Sequence, residues 1–222
     1  MPDKTPSVPA SVKRAALDRE TRVFLAREMR LIEDAGQPPA IEGYAAVFDA
    51  PSEDLGGFVE YVRRGAFTKT IGEADVRATK NHDPNVVLGR TKNGTLTMSE
   101  DVHGLRVKIL PPDTQAARDL MIQMRRGDID QMSFMFDTVR DEWLVQGDAI
   151  TRALIEVRLY DVAVVTYPAY PQTSAEVRSQ VQQLRQSIAA PGQAAHPADA
   201  DSADAQARIA LMLRELEIAE RS

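Results

Sequence analysis

The residues that could do chemistry are a serine, a histidine and an aspartate that lie far apart in the chain. Ser133 stands between Met132 and Phe134, where a larger side chain could fill a core. A serine hydroxyl becomes an effective nucleophile when an imidazole takes its proton, and the imidazole needs an acid that fixes its tautomer. Ser133 is therefore either a packing residue in a tight space or a nucleophile, depending on whether such partners exist elsewhere.

The chain has three histidines that could supply the base. His82 follows a predicted strand and precedes Asp83-Pro84, which makes the chain turn and holds the residue on a loop of fixed shape. His103 falls in a predicted hairpin turn, where a histidine is usually solvent-exposed, and His196 falls in a linker. His82 is the best candidate for the base, with a polar loop residue as the alternative interpretation.

Asp161 is the candidate for the acid. It interrupts an apolar stretch that runs to Val165, where a carboxylate without a partner would be costly. The alternatives are that Asp161 pairs with Arg158, and that Glu156 is the acid instead. A metal-dependent hydrolase using His82, Asp83 and His103 is a further hypothesis, although these residues form no compact ligand motif.

Short strands separated by turns are predicted to position these residues. Met132, Phe134 and Phe136 alternate with Ser133, which predicts a strand with Ser133 on the face opposite the apolar side chains. Asn93-Gly94 predicts a hairpin between strands at 86–90 and 95–99. A helix is predicted between an N-cap at Asp113 or Thr114 and Gly127. A long strand is predicted over 149–166, bent or divided near 159–161.

These elements predict an α+β, mainly β fold: a closed or partly closed antiparallel β-barrel with surrounding helices. We divide the chain into an N-terminal extension (1–36), a central domain (37–171) and a C-terminal helical tail (172–222). The extension is predicted to be partly disordered or helical, with a strand over 21–32 as the alternative. The tail is predicted to hold an amphipathic helix carrying Val177, Val181, Leu184 and Ile188, a flexible linker (189–204) and a last helix (205–220).

Composition excludes several classes of protein. There is no cysteine, which rules out disulfides, thiol catalysis and cysteine-ligated zinc. The net charge is −6, with no basic patch of the kind that binds nucleic acid. No apolar run approaches the length of a membrane span, and the N-terminus lacks the apolar centre of a signal peptide. We expect a soluble, cytoplasmic protein that needs no metal or other cofactor and binds neither nucleic acid nor membrane.

A series of short segments between residues 41 and 171 resembles, in order, the prohead (capsid-maturation) serine proteases of tailed bacteriophages. The segments are Ile41–Phe48, Gly65–Phe67, Asn81–Asp83, Val87–Thr91, Gly94–Leu96, Gly104–Leu105, Met132–Phe134 and Tyr160–Ala169. No single segment is specific, but the ordered set covers most of the central domain.

The resemblance implies a serine endopeptidase similar in fold to the herpesvirus assembly proteases, which are helix-surrounded β-barrels that act as dimers. It also implies Ser133 as the nucleophile and His82 as the general base. The third catalytic position is commonly a glutamate followed by Val-Ser in similar proteins. Here that position holds Asp161 followed by Val162-Ala163, and aspartate is one methylene shorter.

The implied function is to cut scaffold and capsid-protein extensions inside the assembling prohead, in the host cytoplasm. The major capsid protein and the scaffold would be the substrates, and a homodimer is compatible with the resemblance. A compact centre with helix-bearing ends suggests that the protease also cuts its own termini. The alternative is a non-catalytic capsid assembly or scaffolding protein whose terminal helices carry the function.

Overall fold

The computed structural model describes residues 19–24, 29–167 and 175–189. The strands in these residues are β1 (Glu20–Phe24), β2 (Arg30–Ile32), β3 (Ala40–Val47), β4 (Val59–Val62), β5 (Arg77–Lys80), β6 (Asp83–Arg90), β7 (Leu96–Glu100), β8 (Gly104–Ile109), β9 (Gln131–Gln146) and β10 (Ala149–Val165). The helices are α1 (Thr68–Glu73), α2 (Gln115–Arg126) and α3 (Ala175–Ala189).

The strands form two sheets, and the mainly β prediction is confirmed. One sheet has the order β1-β9-β10-β5-β6, with β4 also paired to β10, and the other has the order β2-β3-β8-β7. Of the predicted closed or partly closed barrel, full closure is wrong, because the larger sheet is curled like a half-barrel and its path ends at β1 and β6. The sheet is not purely antiparallel either, since β10 pairs in parallel with both β4 and β5.

The long hairpin formed by β9 and β10 is the centre of the larger sheet. Its core-facing side chains include Met132, Phe134 and Phe136, all fully buried, as the alternation predicts. Because Met132 and Phe134 are buried in the core, the backbone of β9 is fixed on both sides of Ser133.

Helix α2 begins and ends as predicted. Thr114 caps it by accepting a hydrogen bond from the Ala117 N–H, and Gly127 ends it in the left-handed conformation at φ 79°.

The predicted hairpin at Asn93-Gly94 is wrong. Residues Thr91–Asn93 form a 3₁₀ turn and Gly94 is left-handed at φ 74°, but the flanking strands belong to different sheets. Strand β6 pairs with β5, whereas β7 pairs with β8. The Asn-Gly signal correctly marks a reversal with positive φ, but the partners of each strand are chosen by packing over longer range.

The two ends of the described chain pack against the central domain. Of the alternatives for 21–32, the structure has two strands: β1 joins the larger sheet and β2 pairs with β3. Helix α3 lies where the first tail helix is predicted, and its Val177 and Val181 pack against Phe58 and Ile150. The predictions for residues 1–10, for the linker after Ala189 and for a helix over 205–220 fall outside the described residues. Among the described helices, none combines the length and apolarity that crossing a membrane would require.

Candidate active site

His82 lies directly beyond the end of β5, in an unusual backbone conformation. Asn81 and His82 are both left-handed, with φ of 54° and 56°, a region that is uncommon for residues with a Cβ. Asn81 holds this turn against the end of β10. Its N–H donates to the Val164 carbonyl at 2.9 Å, and its Oδ1 accepts from the Thr166 N–H at 2.8 Å. These bonds aim the imidazole back over the sheet.

Ser133 faces this imidazole from the neighbouring part of the sheet. Its Oγ is 2.7 Å from His82 Nε2, and its backbone lies opposite Ala163 of β10. The side chain is fully buried. Ser133 Oγ also donates a hydrogen bond to the Arg22 carbonyl of β1 at 2.8 Å. The nucleophile predicted from sequence is therefore in contact with the predicted base and with a strand from the N-terminal extension.

Asp161 completes the line of contacts from β10. Its Oδ1 is 2.7 Å from His82 Nδ1, and its Oδ2 accepts from Thr79 Oγ1 at 3.1 Å. The register between β9 and β10 shifts here: Leu159 lies opposite Phe136, and Asp161 lies opposite Met135. The shift leaves Tyr160 as the extra residue of a β-bulge.

The other candidate residues lie elsewhere. Arg158 does not pair with Asp161; its guanidinium stacks over the Tyr160 ring. Glu156 pairs with Lys69 at 3.3 Å. His103 is exposed and contacts the Tyr44 ring edge-on, on the smaller sheet. Within the described ranges there is also no cluster of three or more histidine, cysteine, aspartate or glutamate side chains that could hold a metal ion.

Two positioning residues were not identified from the sequence. Thr79 orients the Asp161 carboxylate, and Asn81 supports the turn that holds His82. The signal for Asn81 is its type, because asparagine tolerates positive φ better than most residues. The signal for Thr79 is weaker: it is a polar residue in a short strand, and its role depends on the parallel pairing of β5 with β10.

A buried cluster of charged side chains lies beside β1. Arg22 contacts Glu60 at 2.6 Å and Glu20 at 2.6 Å, and Arg152 contacts the same two carboxylates at 2.9 and 2.7 Å. The side chains of all four are at most 4% exposed. Burial by itself would raise the pKa of Glu20, but hydrogen bonds and charge from Arg152 and Arg22 outweigh it and lower that pKa. The cluster joins β1 to β4 and β10 through paired charges.

Comparison with known proteins identifies the family of the chain. The family model described as caudovirus prohead serine protease matches residues 26–187, which is most of the chain and includes Ser133, His82 and Asp161. Neither the curated proteins nor the solved structures contain a match to the chain. The match begins just after β1 and covers every element from β2 onward except the last residues of α3. The chain belongs to the caudovirus prohead serine protease family.

Proposed function

We propose that this protein is a serine endopeptidase in which Ser133 is the nucleophile, His82 the general base and Asp161 the acid that orients the imidazole. The observation that carries the proposal is the continuous line of contacts Ser133 Oγ–His82 Nε2 and His82 Nδ1–Asp161 Oδ1, each 2.7 Å long. Both distances lie within hydrogen-bond reach, which is the geometric requirement for a base to act on a nucleophile.

The reaction would begin with proton transfer from Ser133 Oγ to His82 Nε2 as Oγ attacks the substrate carbonyl carbon. Asp161 would accept a hydrogen bond from Nδ1–H and stabilise the imidazolium that forms. Backbone N–H groups are the expected donors to the developing oxyanion. His82 would then protonate the leaving amine, which breaks the C–N bond and leaves an ester on Ser133. Water activated by the same imidazole would hydrolyse the ester and regenerate the hydroxyl.

The proposed substrates are the scaffold and the major capsid protein inside the prohead, with the protease's own termini as further targets. The family of the chain supports a role in phage maturation. Self-cleavage is supported by the position of the N-terminal segment, which lies beside the nucleophile and would become a substrate only after β1 has left the edge of β9. These targets all require extended peptides, which a serine protease binds alongside its nucleophile.

The proposal is tested by incubating the purified protein with unprocessed capsid protein and following new fragments by mass spectrometry. Ser133→Ala and His82→Ala should produce no fragments, while His103→Ala should match the parent chain because that ring is exposed and contacts Tyr44 instead. The scaffolding alternative predicts instead that the parent chain and Ser133→Ala behave identically. If the parent chain produces no fragments, the same assay is run with Arg22→Glu, a substitution that should release β1 from the nucleophile.

A further inference from the structure

Strand β1 occupies the position that an extended substrate would need. It pairs antiparallel with the edge of β9 from Glu20 opposite Phe136 to Phe24 opposite Met132, with Val23 opposite Ser133. A sheet edge beside a nucleophile is where a peptide can add as a further strand. We propose that β1 is an autoinhibitory strand that blocks the substrate-binding edge of β9, and that the buried ion cluster is its latch. The proposal rests on the proposed function of Ser133.

Ser133 is the least accessible member of the candidate triad. Ser133 is completely buried, although the other two members of the candidate triad keep about an eighth of their side-chain area exposed, 12% for His82 and 13% for Asp161. The backbone of β1 pairs directly beside the serine in the sheet, and the Arg22 carbonyl contacts its Oγ at 2.8 Å. A substrate carbonyl carbon cannot reach this oxygen while β1 is paired.

The hydroxyl of Ser133 has two neighbours, the Arg22 carbonyl and His82 Nε2. Ser133 has one hydroxyl hydrogen, and donating it to the Arg22 carbonyl leaves none for His82 Nε2. Proton transfer to the base requires that hydrogen to lie between Oγ and Nε2, which are 2.7 Å apart. A serine that donates its hydrogen to β1 is therefore not aligned for proton transfer to His82. With β1 docked, the contacts therefore describe a resting site.

The charges of the buried cluster permit β1 to leave the sheet. The two cluster residues of β1, Glu20 and Arg22, have opposite charges, so the strand departs as a neutral pair. The residues that remain are already paired, because Arg152 contacts both Glu60 and Asp141 at 2.9 and 2.6 Å. Release of β1 therefore leaves no buried arginine without an acid. Strand β1 also precedes the segment matched by the family, so it can detach without removing any element of that segment.

The latch is tested in the full-length chain with Arg22→Glu, which adds a fourth carboxylate to the three that already surround Arg152 and should expel β1. The probe is a fluorophosphonate that bonds to an activated serine Oγ with loss of fluoride. Breaking a buried ion pair should raise the labelling rate of Ser133 by roughly 100-fold, through more frequent opening of β1. Arg22→Lys, which keeps the charge, should give a much smaller increase. Ser133→Ala identifies the labelled residue.

A reversible disulfide between β1 and β9 provides the second test. Because the chain has no cysteine, the two introduced cysteines can pair only with each other within one molecule. Thr21 and Met135 lie directly opposite each other on β1 and β9. In Thr21→Cys/Met135→Cys, oxidation should lower the labelling rate at least about tenfold, because the disulfide prevents β1 from leaving. Reductant should restore the rate, with the parent chain unaffected by either treatment.

Hydrogen exchange of the β1 amides distinguishes a failure of the blocking role of β1 from a failure of the assignment of Ser133 as the nucleophile. Equal labelling rates of the oxidised and reduced double variant would overturn the blocking role of β1. The blocking role would also be overturned if the parent chain is labelled and Arg22→Glu, despite faster exchange of its β1 amides, is labelled no faster. If β1 exchange rises in Arg22→Glu but neither chain is labelled or cuts capsid protein, the nucleophile assignment fails while the docking of β1 stands. Unchanged β1 exchange in a folded Arg22→Glu chain would refute the latch.

Discussion

Replacing Asp161 with asparagine removes one charge from the site while keeping its shape. The carboxylate has two partners, His82 Nδ1 at Oδ1 and Thr79 Oγ1 at Oδ2. An asparagine can present its oxygen to the Nδ1–H and its NH₂ group to Thr79, because a threonine hydroxyl can accept as well as donate. The imidazole tautomer is therefore preserved, and the loss of activity should come from the missing charge.

The size of that loss follows from Coulomb's law. The contact atoms are 2.7 Å apart and the charge centres of the ring and the carboxylate lie farther apart, at roughly 4 Å. At an effective dielectric constant of about 20 this corresponds to about 4 kcal/mol of lost stabilisation of the imidazolium. Since about 1.4 kcal/mol is a factor of ten, Asp161→Asn should slow acylation of Ser133 about 10³-fold.

The assay is the rate of fluorophosphonate labelling and of capsid-protein cleavage, measured in the Arg22→Glu background so that β1 does not limit the rate. Glu156→Gln is the matched control, because this carboxylate is on the same strand but pairs with Lys69. A loss below about tenfold in Asp161→Asn would refute the role of the charge. A loss beyond about 10⁴-fold would refute the tautomer argument based on Thr79.

Three further predictions concern residues that support the site. Thr79→Val should lower turnover roughly tenfold with little change in melting temperature, because it removes one hydrogen bond to a carboxylate; unchanged turnover would show that Asp161 is oriented without it. Asn81→Ala should lower turnover and not substrate affinity, since the bonds to Thr166 that hold the His82 turn are lost; a change confined to KM would contradict this. Because the pKa of Glu20 is lowered from 4.5 on folding, its stabilisation of β1 is complete above that pH and is lost as the pH falls below it; the protection factors of the β1 amides, which correct for the intrinsic pH dependence of exchange, should fall on acidification in the parent chain and less steeply in Glu20→Gln.

The triad candidates could be found in the sequence because local signals happened to mark all three. Alternation around Ser133 assigns its face, since large apolar neighbours must point into the core. The turn after β5 and the apolar neighbours of Asp161 mark the other two. Their contacts could not be predicted, because they depend on β10 pairing in parallel with β5 and antiparallel with β9. Such pairings join residues that are distant in the chain and leave no local pattern.

The blocking strand was hidden for a different reason. Glu20 and Arg22 alternate with Thr21 and Val23, and charged residues in a short segment near a terminus are normally solvent-exposed. They are buried here only because Glu60 and Arg152, on other strands, provide opposite charges. A pattern based on hydrophobicity cannot recognise such a strand.

The bulge at Tyr160 explains how an apolar strand can also carry Asp161, the proposed catalytic acid. Without the extra residue, strict alternation along β10 would place Asp161 opposite Phe134, on the core face, where its charge would have no partner. The shift instead puts Val162 opposite Phe134 and turns Asp161 to the face that holds Ser133. Both requirements are met by one strand, because the bulge changes the face that successive residues occupy. The broken alternation near residues 159–161 is thus the sequence trace of the site itself, since an unbroken strand would have buried the acid away from the imidazole.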